Sequence, residues 1–151
     1  MSENEMTVND KPEFESRLLA ALSHGSIFLQ GAGIIVGLVV YLTQREKSKY
    51  AAFQALQAAV FQLVSMLFIV VMWIAWTFFY FLTLIPVIQM AESAPDAPPP
   101  PIFWVGMGSM AIPFAVMIVI GLYGLWAAIR SLQGKDFRYL ILGSALEKAG
   151  L

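Results

Sequence analysis

The feature that most constrains this chain is the absence of charge from three long stretches of its sequence. Residues 18–44, 50–91 and 97–129 contain no Asp, Glu, Lys or Arg, so the 9 basic and 10 acidic residues all lie outside them. A water-soluble domain distributes charge over its whole surface, whereas a chain embedded in lipid confines it to the segments between apolar spans. The sequence therefore predicts an integral membrane protein.

Composition agrees with this class and excludes several functions. Hydrophobic residues make up 59% and charged residues 13% of the 151 residues, against about 45–50% and roughly 25% in ordinary globular chains. The net charge is −1, and we expect no nucleic-acid partner because such a partner requires a basic surface. The chain contains no Cys, which excludes disulfides, thiolate ligands and iron–sulfur clusters held by this chain alone.

The order of polar and apolar segments predicts an all-α integral membrane fold in a single helical domain. A polar tail, residues 1–13, precedes this domain, which takes in residues 14–151. Stretches of about 20 apolar residues are long enough to cross a bilayer as helices. We therefore predict about three transmembrane helices, at residues 18–43, 58–85 and 102–129, and a Pro-rich extracytoplasmic loop at residues 90–101.

Two shorter segments are expected to lie at the membrane surface. Near the N-terminus, one helical face is apolar and predicts an amphipathic helix through Phe14, Leu18, Ala21 and Leu22. Near the C-terminus, the short apolar segment 137–146 is expected along the membrane surface or against a partner. In the middle of the chain, Gln54, Gln57 and Gln62 lie on one side of a helix that should end or kink at Pro86.

The first apolar stretch allows two topologies. As one helix, residues 18–43 would measure about 39 Å, enough to cross a bilayer core of about 30 Å. The sequence from Gly31 to Gly33 also allows a re-entrant hairpin with both ends on one side. Basic residues in segment 44–50 and in the C-terminal segment place both in the cytoplasm. We predict three full spans in a multi-pass protein of the bacterial inner (plasma) membrane, with a cytoplasmic C-terminus.

Few residues qualify as a binding site. His24 is the only histidine, and an imidazole in an apolar segment can bind a quinone, relay a proton or simply be hydrogen-bonded. Trp73 and Trp76 belong to an aromatic cluster that can line a quinone or pigment pocket or pack against lipid. No residues have the pattern of a metal or catalytic site. We therefore expect no enzyme activity, no metal, and no cofactor other than a bound lipid or quinone.

Small residues at a spacing of four mark two helix-packing faces. Gly33 and Gly37 form the clearest pattern, and Gly124 and Ala128 form a weaker one. Small side chains let two helices approach closely within a membrane. The pattern itself does not distinguish packing within the chain from packing against another integral membrane subunit.

Four short motifs follow one another along the chain: LAALSH at residues 19–24, KSKY at 47–50, FQALQA at 53–58 and GKDFRY at 134–139. In this order and spacing they resemble a family of small bacterial membrane proteins of unknown function. That family is similar to the Tic-twenty type subunit of the chloroplast inner-envelope translocon. The resemblance implies a helical membrane protein with no known catalytic residues, and it supplies no site residues.

These observations predict a non-catalytic accessory or structural subunit of a larger membrane complex, for which a respiratory or photosynthetic electron-transfer complex is one host. Its expected partners are membrane lipids and other integral membrane subunits. One alternative, implied by the resemblance, is a Tic-twenty-like component of a protein translocation or insertion pore. A further alternative is a quinone- or pigment-binding protein that uses His24, Trp73 and Trp76.

Overall fold

The computed structural model describes residues 12–140, 142, 143 and 148, and within this part of the chain all regular structure is helical. The elements are α1 (Phe14–Gly25), a short 3₁₀ helix (Ser26–Leu29), α2 (Gly31–Gln44), α3 (Lys49–Ser93), α4 (Pro101–Ser109) and α5 (Ala111–Leu132). The all-helical prediction is therefore confirmed. The predicted polar tail, residues 1–13, lies almost entirely outside the described residues.

The chain divides into two compact units. The first unit comprises Met1–Val64 and Gly121–Leu151, and the second comprises Ser65–Ile120. The boundary falls inside α3 and inside α5.

The first apolar stretch forms two helices rather than one. α1 ends at Gly25, the 3₁₀ helix follows, and the chain turns at Gln30, whose φ of 52° is left-handed. Left-handed backbone is uncommon for a residue with a side chain, and it cannot continue an α-helix. The predicted continuous helix over residues 18–43 is thus replaced by a pair of contacting helices. Three full spans are not confirmed.

α2 packs antiparallel to the first part of α3. Gly33, near the start of α2, lies against Gln62, and Gly37, one turn later, lies against Ala55 and Ala59. The later residue of α2 contacts earlier residues of α3, so the two helices run in opposite directions. The end of α2 therefore returns to the level at which α3 begins.

α1 runs in the same direction as the first part of α3. Near its start, the stem of Arg17 packs against Gly134, in the turn whose backbone also accepts a hydrogen bond from Tyr50 at the start of α3. Near its end, the carbonyl oxygen of Ser23 accepts a hydrogen bond from Gln62. α1 and α2 are therefore a helical hairpin whose two ends lie at the same end of the first unit.

The first unit buries many polar side chains beside its alanines and aromatic core, and it exposes many large apolar side chains. Its buried polar side chains are Ser16, Ser23, His24, Ser26, Gln54, Gln57, Gln62 and Ser131. Its exposed large apolar side chains include Phe14, Leu18, Leu22, Phe28, Leu29, Ile35, Leu38, Val39, Leu42, Leu122, Leu125, Trp126 and Ile129. A soluble domain rarely exposes so many large apolar side chains together. Exposed apolar side chains covering α1, α2 and the end of α5 fit a unit surrounded by lipid.

Two segments of the described chain are long and apolar enough to cross a membrane. They are Lys49–Ser93 and Pro101–Leu132, and only 22% of the most apolar window of each is buried. The core helix of a soluble protein would be mostly buried, so these segments are better explained by lipid contact. α2, with 14 residues, is shorter than a full span.

Two prolines affect these segments differently. Pro86, where an end or a kink is predicted, lies inside α3, and the helix does not end there but continues to Ser93. Pro113 follows the break between α4 and α5 at Met110. Because proline has no amide hydrogen, it cannot bond to the carbonyl oxygen of Ser109, four residues earlier. The predicted third span is therefore present as two successive helices.

The C-terminal segment folds back onto the first unit. α5 ends in a turn at Gly134, which has a φ of 75°, and the amide of Lys135 donates to the carbonyl oxygen of Arg130 at 3.1 Å. Glycine is favoured at this position because the left-handed conformation closes a helix end. Phe137 and Tyr139 are then buried in the unit's aromatic core. Segment 137–146 was expected at a surface or partner, but its described residues pack largely against their own chain.

Candidate functional site

The first turns of α3 carry the residues that organise the first unit. The hydroxyl of Ser48 accepts a hydrogen bond from the amide of Ala51 at 3.2 Å and so caps the helix. The following residues are rich in alanine, the best helix former, and Ala51, Ala55 and Ala58 are fully buried. Small alanine side chains leave space beside the helix. The long side chains among them, at Gln54 and Gln57, extend into that space.

Gln57 holds the C-terminal segment by its backbone. Its Nε2 donates to the carbonyl oxygen of Phe137 at 3.2 Å, and its Oε1 accepts from the amide of Tyr139 at 2.9 Å. The side-chain amide thus makes the two hydrogen bonds that a neighbouring strand would make. Gln57 is fully buried. Its two hydrogen bonds therefore satisfy backbone groups of the C-terminal segment that would otherwise need water as a partner.

Gln54 joins the C-terminal segment to α1. Its Nε2 donates to Oδ1 of Asp136 and to the carbonyl oxygen of Phe137, both at 3.0 Å. Since both partners are acceptors, the orientation of the amide is fixed. Oε1 of Gln54 then accepts from Nε2 of His24 at 3.0 Å, which assigns the ring hydrogen to Nε2. Nδ1 of His24 therefore accepts from the hydroxyl of Tyr139 at 3.1 Å.

Burial keeps both partners of this last bond neutral. Desolvation lowers the pKa of His24 from 6.5 to about 4, against an opposing contribution from its hydrogen bond to Gln54. Desolvation also raises the pKa of Tyr139 above its usual value of 10, and the neighbouring Tyr123 adds to this effect. A neutral imidazole can accept at Nδ1 and a protonated phenol can donate, so the hydrogen bond between Tyr139 and His24 fits the neutral form of each side chain.

Three aromatic rings pack against the ring of Tyr139. Its ring stacks on Phe61, with centroids 4.0 Å apart and planes at 9°. Tyr123 and Phe137 meet Tyr139 edge to face at 5.2 and 5.0 Å. These arrangements are the preferred ones for aromatic pairs.

The residues proposed for a quinone or pigment belong to different units. His24 lies in the first unit, and both of its ring nitrogens already bond to protein groups. Trp73 and Trp76 lie in the second unit, where they meet edge to face at 5.4 Å. Trp76 also donates from Nε1 to Ser109 at 3.0 Å. Among the described residues, no group of His, Asp or Glu is arranged to hold a metal ion.

The predicted packing residues lie at contacts within the first unit. A Cβ at Gly33 would overlap the carbonyl oxygen of Ser26 and Oε1 of Gln62. A Cβ at Gly37 would lie 3.0 Å from both the carbonyl oxygen of Ala55 and the Cβ of Ala59. The two glycines therefore bring α2 against α3 of the same chain.

The second face is also internal. A Cβ at Gly124 would lie 2.9 Å from two carbons of Ile27, so α5 approaches the 3₁₀ helix closely at this point. Ala128, one turn later, is buried, with 8% of its surface exposed. The alternative of packing against another subunit is not needed to explain either pair.

Sequence reasoning missed the residues that hold the site together. It places Gln54, Gln57 and Gln62 on one helical side but does not identify their partners. Uncharged polar residues on one face of an apolar helix indicate that this face packs against other polar groups of the protein, because lipid offers them no hydrogen bonds. Tyr139 lies in the motif GKDFRY, but nothing in its local sequence indicates that it turns back onto α3.

Comparison with known proteins gives one result. The chain matches the magnetosome magnetite crystal formation protein family over residues 15–146, a range that begins in α1 and includes the whole site. No curated protein and no solved structure matches it. The match supports the expected small bacterial membrane family, whereas no similarity to the Tic-twenty type subunit is shown. The chain therefore belongs to the magnetosome magnetite crystal formation protein family.

Proposed function

We propose that this protein is a non-catalytic accessory protein of the magnetosome membrane that acts in magnetite crystal formation. The observation that carries the proposal is the family match, which extends from residue 15 to residue 146. It is supported by the two apolar segments long enough to cross a membrane and by the lipid-compatible exterior of the first unit. Electron transfer, protein translocation and quinone or pigment binding receive no support from the family or from the site.

The site supports a structural role for the buried polar residues. His24, Gln54, Gln57 and Tyr139 bond to one another or to the backbone of the C-terminal segment. General acid–base or nucleophilic catalysis needs a reactive group that a substrate can reach, but these four side chains are at most 3% exposed. The network instead fixes how α1, α3 and the C-terminal segment pack, and so sets the surface presented by the membrane-embedded protein.

Gene deletion in a magnetite-forming bacterium that encodes this chain tests the proposal. Electron microscopy would measure the lengths and shapes of the crystals with and without the gene. We expect the deletion to shift the crystal-size distribution and wild-type protein supplied in trans to restore it. The Gly33→Leu variant should fail to restore it because a side chain at that position would force α2 away from α3. Unchanged crystals after deletion would overturn the proposal.

A matched control separates loss of function from loss of the fold. At Gly25, no atom lies within 4 Å of the position that a Cβ would occupy, and the φ of −65° is ordinary for a helix. Gly25→Ala should therefore restore crystals as well as the wild type does. A fluorescent tag on each variant would report whether it reaches the crystal-containing membranes. Restoration by Gly33→Leu at normal protein levels would contradict the proposed dependence on hairpin packing.

A further inference from the structure

Two arginines of the first unit have a buried nitrogen that lacks a hydrogen-bonding partner. Nε of Arg17 and Nε of Arg130 are buried, and no described residue accepts a hydrogen bond from either. The ion pairs among the described residues are made by other arginines, Arg45 and Arg138. Buried polar groups in folded proteins normally have partners. Within the described part of the chain these two guanidinium nitrogens have no acceptor, and an acceptor from outside the chain would satisfy them.

Both arginines flank the same turn. The stem of Arg17 packs so closely on Gly134 that a Cβ there would lie 2.9 Å from its Cδ. The amide of Gly134 donates to Ser131, and the amide of Lys135 donates to the carbonyl oxygen of Arg130. The turn that receives Arg17 thus starts at Arg130. Two positive charges that belong to distant parts of the sequence are brought to one end of the unit.

Each arginine also stands over an exposed aromatic ring. The guanidinium carbon of Arg17 lies 5.8 Å from the ring centre of Phe14, and that of Arg130 lies 5.8 Å from the ring centre of Trp126. Phe14 is 65% exposed and Trp126 is 54% exposed. Side chains with an apolar body and a charged or polar tip favour the boundary between lipid and water. The pairs therefore fit the level of lipid headgroups.

We propose that Arg17 and Arg130 bind the phosphate of an anionic phospholipid at this boundary. Guanidinium groups bind phosphate oxygens through paired hydrogen bonds and are more weakly hydrated than an ammonium group. The nearby carboxylate of Asp136 does not compete, because it already accepts from Gln54 and pairs with Arg138. The proposal goes beyond the function proposed above, since it holds whether or not the protein acts on magnetite.

Native mass spectrometry of the detergent-purified, delipidated full chain tests this inference. The protein would be titrated with phosphatidylglycerol, which is anionic, and separately with phosphatidylethanolamine, which has the same phosphate but no net charge. Inorganic phosphate would be added in a third series. We expect the wild type to retain phosphatidylglycerol several-fold more than phosphatidylethanolamine, and to retain no inorganic phosphate.

Two variants locate the site. Replacing both Arg17→Gln and Arg130→Gln should reduce phosphatidylglycerol retention to the level of phosphatidylethanolamine. Arg45 is exposed and paired with Glu46. Arg45→Gln removes its positive charge and should leave the preference for phosphatidylglycerol over phosphatidylethanolamine unchanged. Equal retention of both lipids by the wild type would overturn the proposal, and so would equal losses in the double variant and in Arg45→Gln. Retention of inorganic phosphate in place of lipid would assign the site to a soluble anion and overturn the lipid assignment.

Discussion

Nε2 of His24 donates a hydrogen bond to Oε1 of Gln54 across a distance of 3.0 Å, and this pair joins α1 to α3. Both side chains are buried, at 1% and 0% exposure. In a unit whose outside is apolar, burial of more apolar surface cannot by itself hold two helices together, because lipid solvates that surface equally well. Hydrogen bonds and close backbone approach then determine which helices associate.

Loss of the Gln54 side-chain amide should destabilise the first unit. Gln54→Leu would leave Nε2–H of His24 without its acceptor, at a cost of about 1–3 kcal/mol for a buried group left unpaired. The carbonyl oxygen of Phe137 would keep Gln57 as its donor. The expected result is a lower melting temperature in mild detergent, measured by light scattering or by circular dichroism. Gln89, which is exposed on the same helix, supplies the control. An equal effect of Gln54→Leu and Gln89→Leu would contradict the role of the network.

The stability of the protein should depend on pH through His24. This residue lies on α1, outside the two segments long enough to cross a membrane, and burial lowers its pKa to about 4. In the unfolded chain its pKa is about 6.5. Between these values the unfolded state binds a proton that the folded state does not, so stability falls as pH decreases from about 6.5 to about 4, by roughly 3 kcal/mol in total.

The measurement for this prediction compares melting temperatures of wild type and His24→Gln at pH 7.5, 6.0 and 5.0. Glutamine can donate and accept hydrogen bonds but does not titrate, so the variant should lose less stability between pH 7.5 and pH 5.0. Other titrating groups affect both proteins alike, and only the difference between their slopes is interpreted. Identical slopes would show that His24 is not a buried neutral group.

Close contact between α2 and α3 should make Gly33 intolerant of even one methyl group. Gly33→Ala would place a carbon against the carbonyl oxygen of Ser26 and the side chain of Gln62, and overpacking of this kind costs about 1–3 kcal/mol. Gly25→Ala is the matched control, because open space surrounds that position. Removing a flexible glycine there should leave stability unchanged or raise it by about 0.4–1 kcal/mol. Thermal melting in detergent would compare both variants, and the prediction fails if Gly33→Ala melts no lower than Gly25→Ala.

The membrane class and the helical fold could be predicted from the sequence because they depend on composition. Three stretches without charge are sufficient to indicate lipid, and alanine- and leucine-rich segments without proline are sufficient to indicate helices. The packing glycines Gly33 and Gly37 were also visible, since small residues at a spacing of four are common where helices approach. The location of their partner on α3 depends on tertiary structure and could not be predicted.

The hairpin could not be chosen over a full span from the sequence, because its signals are local and weak. Gly25 lowers helix propensity but is tolerated in many membrane helices, and the left-handed φ of Gln30 has no sequence signature. The length of the stretch favours a full span, whereas the structure shows that the polar face of α1 packs on Gln54 and Gln62. Contacts between residues about 30 to 40 positions apart decide the outcome.

The polar site could be predicted only in part, for a similar reason. Three glutamines on one face of an apolar helix indicate that polar partners exist, and the lone His24 stands out in an apolar stretch. Gln54 and Gln57 both bond to the segment that contains Phe137 and Tyr139, about 80 residues later in the chain. Gln62 bonds instead to Ser23 and Ser26. Nothing in segment 134–139 itself distinguishes packing against α3 from lying along a membrane surface.

The account depends most directly on the hairpin, which predicts that both ends of the first apolar stretch lie on one side of the membrane. Because the chain contains no Cys, single cysteines can be introduced at Glu15, Glu46 and Glu92, all of which are exposed. A membrane-impermeant maleimide would then be applied to sealed vesicles of known orientation.

We predict that cysteines at positions 15 and 46 react from the same side, and that a cysteine at position 92, near the end of α3, reacts from the opposite side. Labelling after detergent permeabilisation confirms that each cysteine is reactive. Reaction of positions 15 and 46 from opposite sides would show that the first stretch crosses the membrane completely, and it would contradict the helical hairpin.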